Sequence, residues 1–186
     1  MMIKTKTVTF ALALAMGLWI AAPYVAFAEE GEEPKLDVGD DAPPLSLTDW
    51  IKGEPVAIGE SEDDHILVIE FWATWCGPCR ASIPHLTDLQ RAFKDRNVTV
   101  LAITMEEVDH VAEFVEDEGD NMQYTVAIDG DRKTWAAYMD ASGARGIPHV
   151  FVVDADGVIA WQGHPREPEL ENLLDEMAPK PEDLEA

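Results

Sequence analysis

The chain has two cysteines, Cys76 and Cys79, two residues apart in the stretch EFWATWCGPCRASIP. Such a pair can serve as a structural disulfide, as half of a metal site, or as a dithiol that opens and closes. A disulfide that closes so small a loop removes little entropy from the unfolded chain, so it is a poor staple. Metal binding would recruit Cys76, Cys79, His85 and His149, because thiolates and imidazoles suit zinc or copper. No second C-x-x-C is present to complete a site. Covalent haem attachment needs a histidine directly after the pair, and Arg80 stands there.

Chemistry at the pair depends on the elements that position it. ILVIEFW, from Ile66 to Trp72, is a nearly continuous apolar run, as expected of a central strand covered on both faces, with Glu70 as its one charge. After the cysteines, Ile83, Leu86, Leu89 and Phe93 recur at helical spacing. Cys76 is therefore predicted at or near a helix start, with Pro78 in the first turn, where a missing N–H costs little, and Pro84 kinking the helix. There the unpaired N–H groups and the positive end of the helix dipole favour thiolate over thiol, and helical spacing puts Cys79 one turn deeper. Thiolate is the attacking species in disulfide exchange.

Further strands are expected at 98–103 and 125–129, with a helix through Val108, Val111, Ala112 and Val115 between them and another through Trp135, Tyr138 and Met139. HVFVVD, the turn DADG and VIAW read as a hairpin, followed by a helix through Leu170, Leu173, Leu174 and Met177. Upstream, Leu45 and Leu47 with Val56 and Ile58 suggest a small hairpin, and Trp50 and Ile51 a lid for the core. Alternating strands and helices closed by a hairpin give an α/β fold with a mixed sheet.

The ends of the chain read differently. Lys4 and Lys6, an apolar run from Val8 to Val25 and Ala26-Phe27-Ala28 have the pattern of a secretory signal cleaved before Glu29. The rival reading is an uncleaved anchor, since the run is close to the ~20 residues that span a bilayer. Either places the domain outside the cytosol, where disulfide-stapled chains usually carry several cysteines, so a single close pair points to chemistry. Residues 29–35 form a flexible acidic leader, 36–178 the domain and 179–186 an acidic tail. A net charge of −24 argues against nucleic acid and anionic membrane surfaces as partners.

FWATWCGPC, the interior Pro84 and GIP (146–148) directly before an apolar strand resemble the thioredoxin superfamily. The segment between the second strand and GIP, the N-terminus and GDDAPPLSL resemble its TlpA-like or ResA-like extracytoplasmic branch, over roughly residues 36–178. The resemblance implies a three-layer thioredoxin-like sandwich, a mixed sheet flanked by helices, with an N-terminal extension and a central insertion. It implies a protein-disulfide oxidoreductase in which Cys76 is the exposed nucleophile, Cys79 the resolving thiol and Cys76–Cys79 the redox disulfide. Pro148 would be cis and pack against the cysteines, with Trp75, Gly77, Pro78, Ile147 and Pro148 holding substrate. Protein thiols and disulfides would be the partners, with an electron donor such as a membrane thiol-disulfide transporter. No cofactor or metal is expected, and the protein would act as a monomer.

Departures from that pattern matter too. Where many members of the branch carry glutamate three residues after the second cysteine, this chain has Ser82, and His149 replaces a common threonine after the proline. Glu70 takes the place of the buried aspartate of ordinary thioredoxins and is expected to exchange a proton with Cys79. These features favour a general, reductase-like site over cytochrome maturation. The proline and threonine framing of a peroxidatic cysteine is missing, and copper-delivery relatives space their cysteines more widely.

Overall fold

The computed structural model describes residues 35–58 and 65–180. Residues 1–28, expected to be a signal or anchor, lie outside the described residues, as do the expected leader apart from Lys35 and the expected tail beyond Lys180. Strand β2 (Ile66–Phe71) buries all six of its residues. It pairs in parallel with β3 (Val98–Thr104) on one side and antiparallel with β5 (His149–Val153) on the other. Beyond β3 comes the parallel β4 (Thr125–Ile128), then β1 (Asp49–Lys52), antiparallel to it. Beyond β5 lies β6 (Ile159–Gly163), so the order is β1-β4-β3-β2-β5-β6. The mixed sheet is the expected one.

Alternation along β2 splits the core in two. Ile66, Val68 and Trp72 face α1 (Gly77–Phe93), α2 (Val108–Glu118) and α4 (Pro168–Met177), which supply Ile83, Leu86, Val111, Leu170 and Leu174 to one cluster. Leu67, Ile69 and Phe71 face Tyr138, Met139 and Phe151 on the other side, with Leu45, Leu47, Trp50, Val56 and Ile58 packed around them. α1 runs through Pro84, which is exposed.

One expectation fails. The hairpin from 45–47 to 56–58 does not form: these residues cover the second cluster without strand structure, while Trp50 and Ile51, the expected lid, belong to β1. The outer side of β4 offers a ladder that a local hairpin would leave unpaired, and β1 fills it from far away in sequence. The helix expected through Trp135, Tyr138 and Met139 does form, starting as α3 (Lys133–Trp135) and continuing without a break as a π-helical turn, Ala136–Asp140. At the far edge, residues 39–42 run beside β6, with Asp41 bridging to Val158 and Ile159 hydrogen-bonded to both Gly39 and Asp40.

Candidate active site

The site begins where β2 ends. Trp72 keeps the strand's alignment by donating its N–H to the Ile103 carbonyl at 3.1 Å. A turn from Ala73 to Cys76, closed by the Cys76 N–H on the Ala73 carbonyl at 3.1 Å, then redirects the chain into α1. Trp75 sits in that turn and is 75% exposed, so core packing is not its role. Cys76 takes the N-cap position with extended φ and ψ of −81° and 103°, and its Sγ accepts the Cys79 N–H at 3.2 Å. A sulfur there satisfies one of the free donors at a helix start. Cys76 and Cys79 form a disulfide, with Cα atoms 5.2 Å apart.

Cys76 differs from expectation in its exposure. It is 4% exposed, because the turn tucks it between Trp75 and the Ile147 segment, and Cys79 is fully buried. Its Sγ lies 3.7 Å from the Ile147 carbonyl oxygen, and the Ile147–Pro148 peptide is cis. Cys76 opens onto a groove walled by Trp75, Gly77 and Pro78 on one side and Gly146 and Ile147 on the other, with Met105, Glu106 and Trp135 completing it. Pro148 is buried and is not among the groove's walls.

Glu70 lies on the face of β2 that carries the cysteine helix, between Val68 and Trp72. It is 1% exposed, and its Oε1 has no hydrogen-bond partner among the described residues. Loss of water pushes its carboxyl well above the usual range. Its register partners, Ala102 and Val150, bring no charge. Arg80 is exposed, with its guanidinium over the Phe114 ring. Tyr124 on the same side is pushed up by burial first, then by the Glu70 and Glu118 carboxylates.

The remaining sequence candidates scatter. Ser82 is buried and donates its hydroxyl to the Pro78 carbonyl one turn back. His149 faces the opposite side of the sheet from the cysteines, edge-on to Phe151 and 3.4 Å from the Gln162 Oε1. Burial lowers its pKa, partly offset by Gln162 and Glu167. His85 points to Glu171 on α4, its Nδ1 3.7 Å from the carboxylate. The four residues of the metal alternative are therefore not brought together, and no group of three or more potential ligands occurs among the described residues.

Sequence reasoning missed a set of polar residues at the groove. Glu106, after β3, accepts the Thr74 N–H and the Thr74 hydroxyl, each at 2.7 Å, and the Thr104 hydroxyl at 3.2 Å. His110 on α2 sits with Nε2 2.9 Å from the same Thr74 hydroxyl. The partners lie 32 and 36 residues from Thr74, and no spacing rule links them.

Comparison with known proteins agrees with this architecture. A relative named thiol-disulfide oxidoreductase ResA, from Bacillus thuringiensis, is 28% identical over 151 residues, covering 80% of this chain and 83% of the relative. The solved thioredoxin domain of a thiol-disulfide oxidoreductase from Bacteroides vulgatus matches with a TM-score of 0.63 at 22% identity, over 78% of this chain and all of that one. A thiol-disulfide isomerase from Corynebacterium glutamicum matches with a TM-score of 0.62 at 19% identity, over 75% and 97%. At those identities the structures speak for the thioredoxin-like fold. Residues 38–162 match the AhpC/TSA family, and with two thirds of the sequence inside that match and the thioredoxin-like sheet around its cysteine pair, the chain belongs to that family.

Proposed function

We propose that this chain is a thiol-disulfide oxidoreductase that exchanges the Cys76–Cys79 pair with protein thiols and disulfides, in the reducing direction and outside the cytosol. The observation that carries the reading is the Cys76 sulfur, capping a 17-residue helix, bonded to the Cys79 N–H and set at the mouth of an apolar groove. In the reduced protein that N–H and the helix dipole stabilise thiolate on Cys76. The thiolate attacks a substrate disulfide; one substrate cysteine leaves as thiolate, and a mixed disulfide joins Cys76 to the other. Cys79 then gives up its proton to Glu70, directly or through one water, and attacks the Cys76 sulfur. The second substrate thiolate is released and two electrons have passed to the substrate. Trp75, Gly77, Pro78 and Ile147 hold the substrate chain, with Pro148 shaping the wall from behind. An unidentified thiol donor, such as a membrane thiol-disulfide transporter, restores the dithiol. The Gly-Pro between the cysteines suits a potential near the roughly −270 mV of reducing thioredoxins.

Export rests on the basic, apolar and Ala-Phe-Ala succession at 1–28, with cleavage before Glu29. Reduction of insulin disulfides with a dithiol donor tests the activity. Wild-type protein should turn over, Cys76→Ser should not, and Cys79→Ser should accumulate mixed disulfides. A wild-type protein without turnover overturns the reading. N-terminal sequencing of the protein recovered from its host tests export, and an intact Met1 in a soluble cytosolic fraction would end that part.

A further inference from the structure

We propose that Glu106 is a positioning residue for Cys76: its carboxylate holds the turn that delivers the nucleophile, gripping it through Thr74. The proposal rests on the disulfide-exchange reading above and adds a residue to it. Thr74 is the second residue of the turn closed between Ala73 and Cys76, and it is 7% exposed. Its backbone N–H and its hydroxyl bind the two oxygens of one carboxylate, at 2.7 Å each. A third donor, the Thr104 hydroxyl at the end of β3, fixes the carboxylate from the sheet side. Bonds to an ionised acceptor are about twice as strong as neutral ones, and two parallel ones fix direction as well as distance.

The proton count in this group is determined. A carboxylate only accepts, so the single hydroxyl proton of Thr74 goes to Glu106. The Thr74 oxygen can then only accept from His110, whose Nε2 carries the hydrogen. Glu106 is thus tied to three donors from two segments, and its side chain, 19% exposed, forms part of the groove wall beside Cys76. With Thr74 held, Trp75 is directed outward and Cys76 enters α1 at the cap with its sulfur under the Cys79 N–H. Misplacing a reacting group by ~1 Å can cost about a hundredfold in rate.

The test follows alkylation of Cys76 in the reduced full-length protein, resolved from Cys79 by peptide mass spectrometry and normalised to the folded fraction from near-UV circular dichroism. Glu106→Ala and Thr74→Val should each slow Cys76 roughly tenfold, the loss expected from one charge-assisted hydrogen bond. Glu106→Gln keeps an acceptor for Thr74, and Thr74→Ser keeps the hydroxyl, so both should recover to within about threefold of wild type. A residue that only stabilised the fold would lower the unfolding midpoint and leave the normalised rate alone. Unchanged rates in Glu106→Ala, or equal losses in the Gln and Ala variants, overturn the proposal. Should Glu106→Ala fail to fold, the Thr74 pair decides it, since the backbone bond to Glu106 survives in both. Alkylation needs no protein substrate. Wild-type protein that alkylates rapidly at Cys76 without reducing insulin would sink the exchange reading and leave the positioning role standing.

Discussion

The two faces of the sheet are filled by the same alternation of β2 and differ in what they leave unpaired. On the face without cysteines, Phe71, Tyr138 and Phe151 meet edge-on or tilted with centroids 5.2–6.0 Å apart, and the Tyr138 hydroxyl donates to the Pro43 carbonyl at 2.7 Å. That hydroxyl is satisfied, although the buried Oδ1 of Asp129, whose Oδ2 accepts the Trp135 N–H at 2.6 Å on this side, has no hydrogen-bond partner among the described residues. On the cysteine face, the Glu70 Oε1, the Trp72 Nε1 and the Tyr124 hydroxyl are buried without hydrogen-bond partners among the described residues. Each such group costs stability. Binding and catalysis tolerate that cost where a group must be ready to change its proton, as Glu70 must, and on the cysteine face three such unpaired groups lie together.

The largest test removes packing from the quiet face. Phe151→Ala should destabilise the fold by about 3–5 kcal/mol in urea titrations, as for other buried aromatics. Its Cys76 alkylation rate, measured on folded protein, should stay near wild type. A parallel loss of stability and thiol reactivity would break the contrast between the faces.

A smaller change of opposite sign is expected at Glu70. Below pH about 4.5 its carboxyl is protonated in folded and unfolded chain alike and adds no pH dependence. As pH rises from there toward the raised folded value, the unfolded chain loses the proton first, and the wild-type protein loses stability. Glu70→Leu lacks that loss, so its advantage should grow with pH to roughly 1–3 kcal/mol. Stopped-flow exchange should show resolution by Cys79 slowed more than attack by Cys76. A less stable variant, or unchanged resolution, would each remove half of this picture.

The smallest effect belongs to His149. Burial depresses its pKa, so the wild-type protein should lose stability as pH falls from 6.5 through the folded value, and His149→Thr should lack that loss in pH-dependent thermal melts. Because the ring faces away from the cysteines, attack by Cys76 should change by no more than about twofold. A larger change would mean the two faces are coupled through Pro148.

What the sequence disclosed follows from the range of the forces. The continuous apolar runs of β2 and β3, the helical spacing of Ile83, Leu86, Leu89 and Phe93, and the burial of Glu70 are local patterns, and each is readable in a window of a few residues. The position of β1 is not local, since Trp50 pairs with Ala127, and the apolar residues around it fit a neighbouring hairpin equally well. The low exposure of Cys76 depends on Ile147, which no spacing rule relates to it. The Thr74–Glu106–His110 group is carried by residues that, read singly, are ordinary polar residues; only the convergence of the turn after β2 with the segment after β3 and the start of α2 makes them a unit.

The short run of residues 39–42 beside β6 bears on how molecules of this protein meet one another. An unpaired strand at a sheet margin is a template on which another chain can add, and such templates promote aggregation. Here the covering run occupies the beginning of β6, leaving Trp161–Gly163 as the uncovered part. At the opposite margin β1 has four residues, an irregular register between Trp50 and Lys52, and charged ends at Asp49 and Lys52. Neither margin offers a long flat ladder, so growth by strand addition is disfavoured on both sides. Concentrated solutions should resist fibril formation until the 39–42 covering is removed.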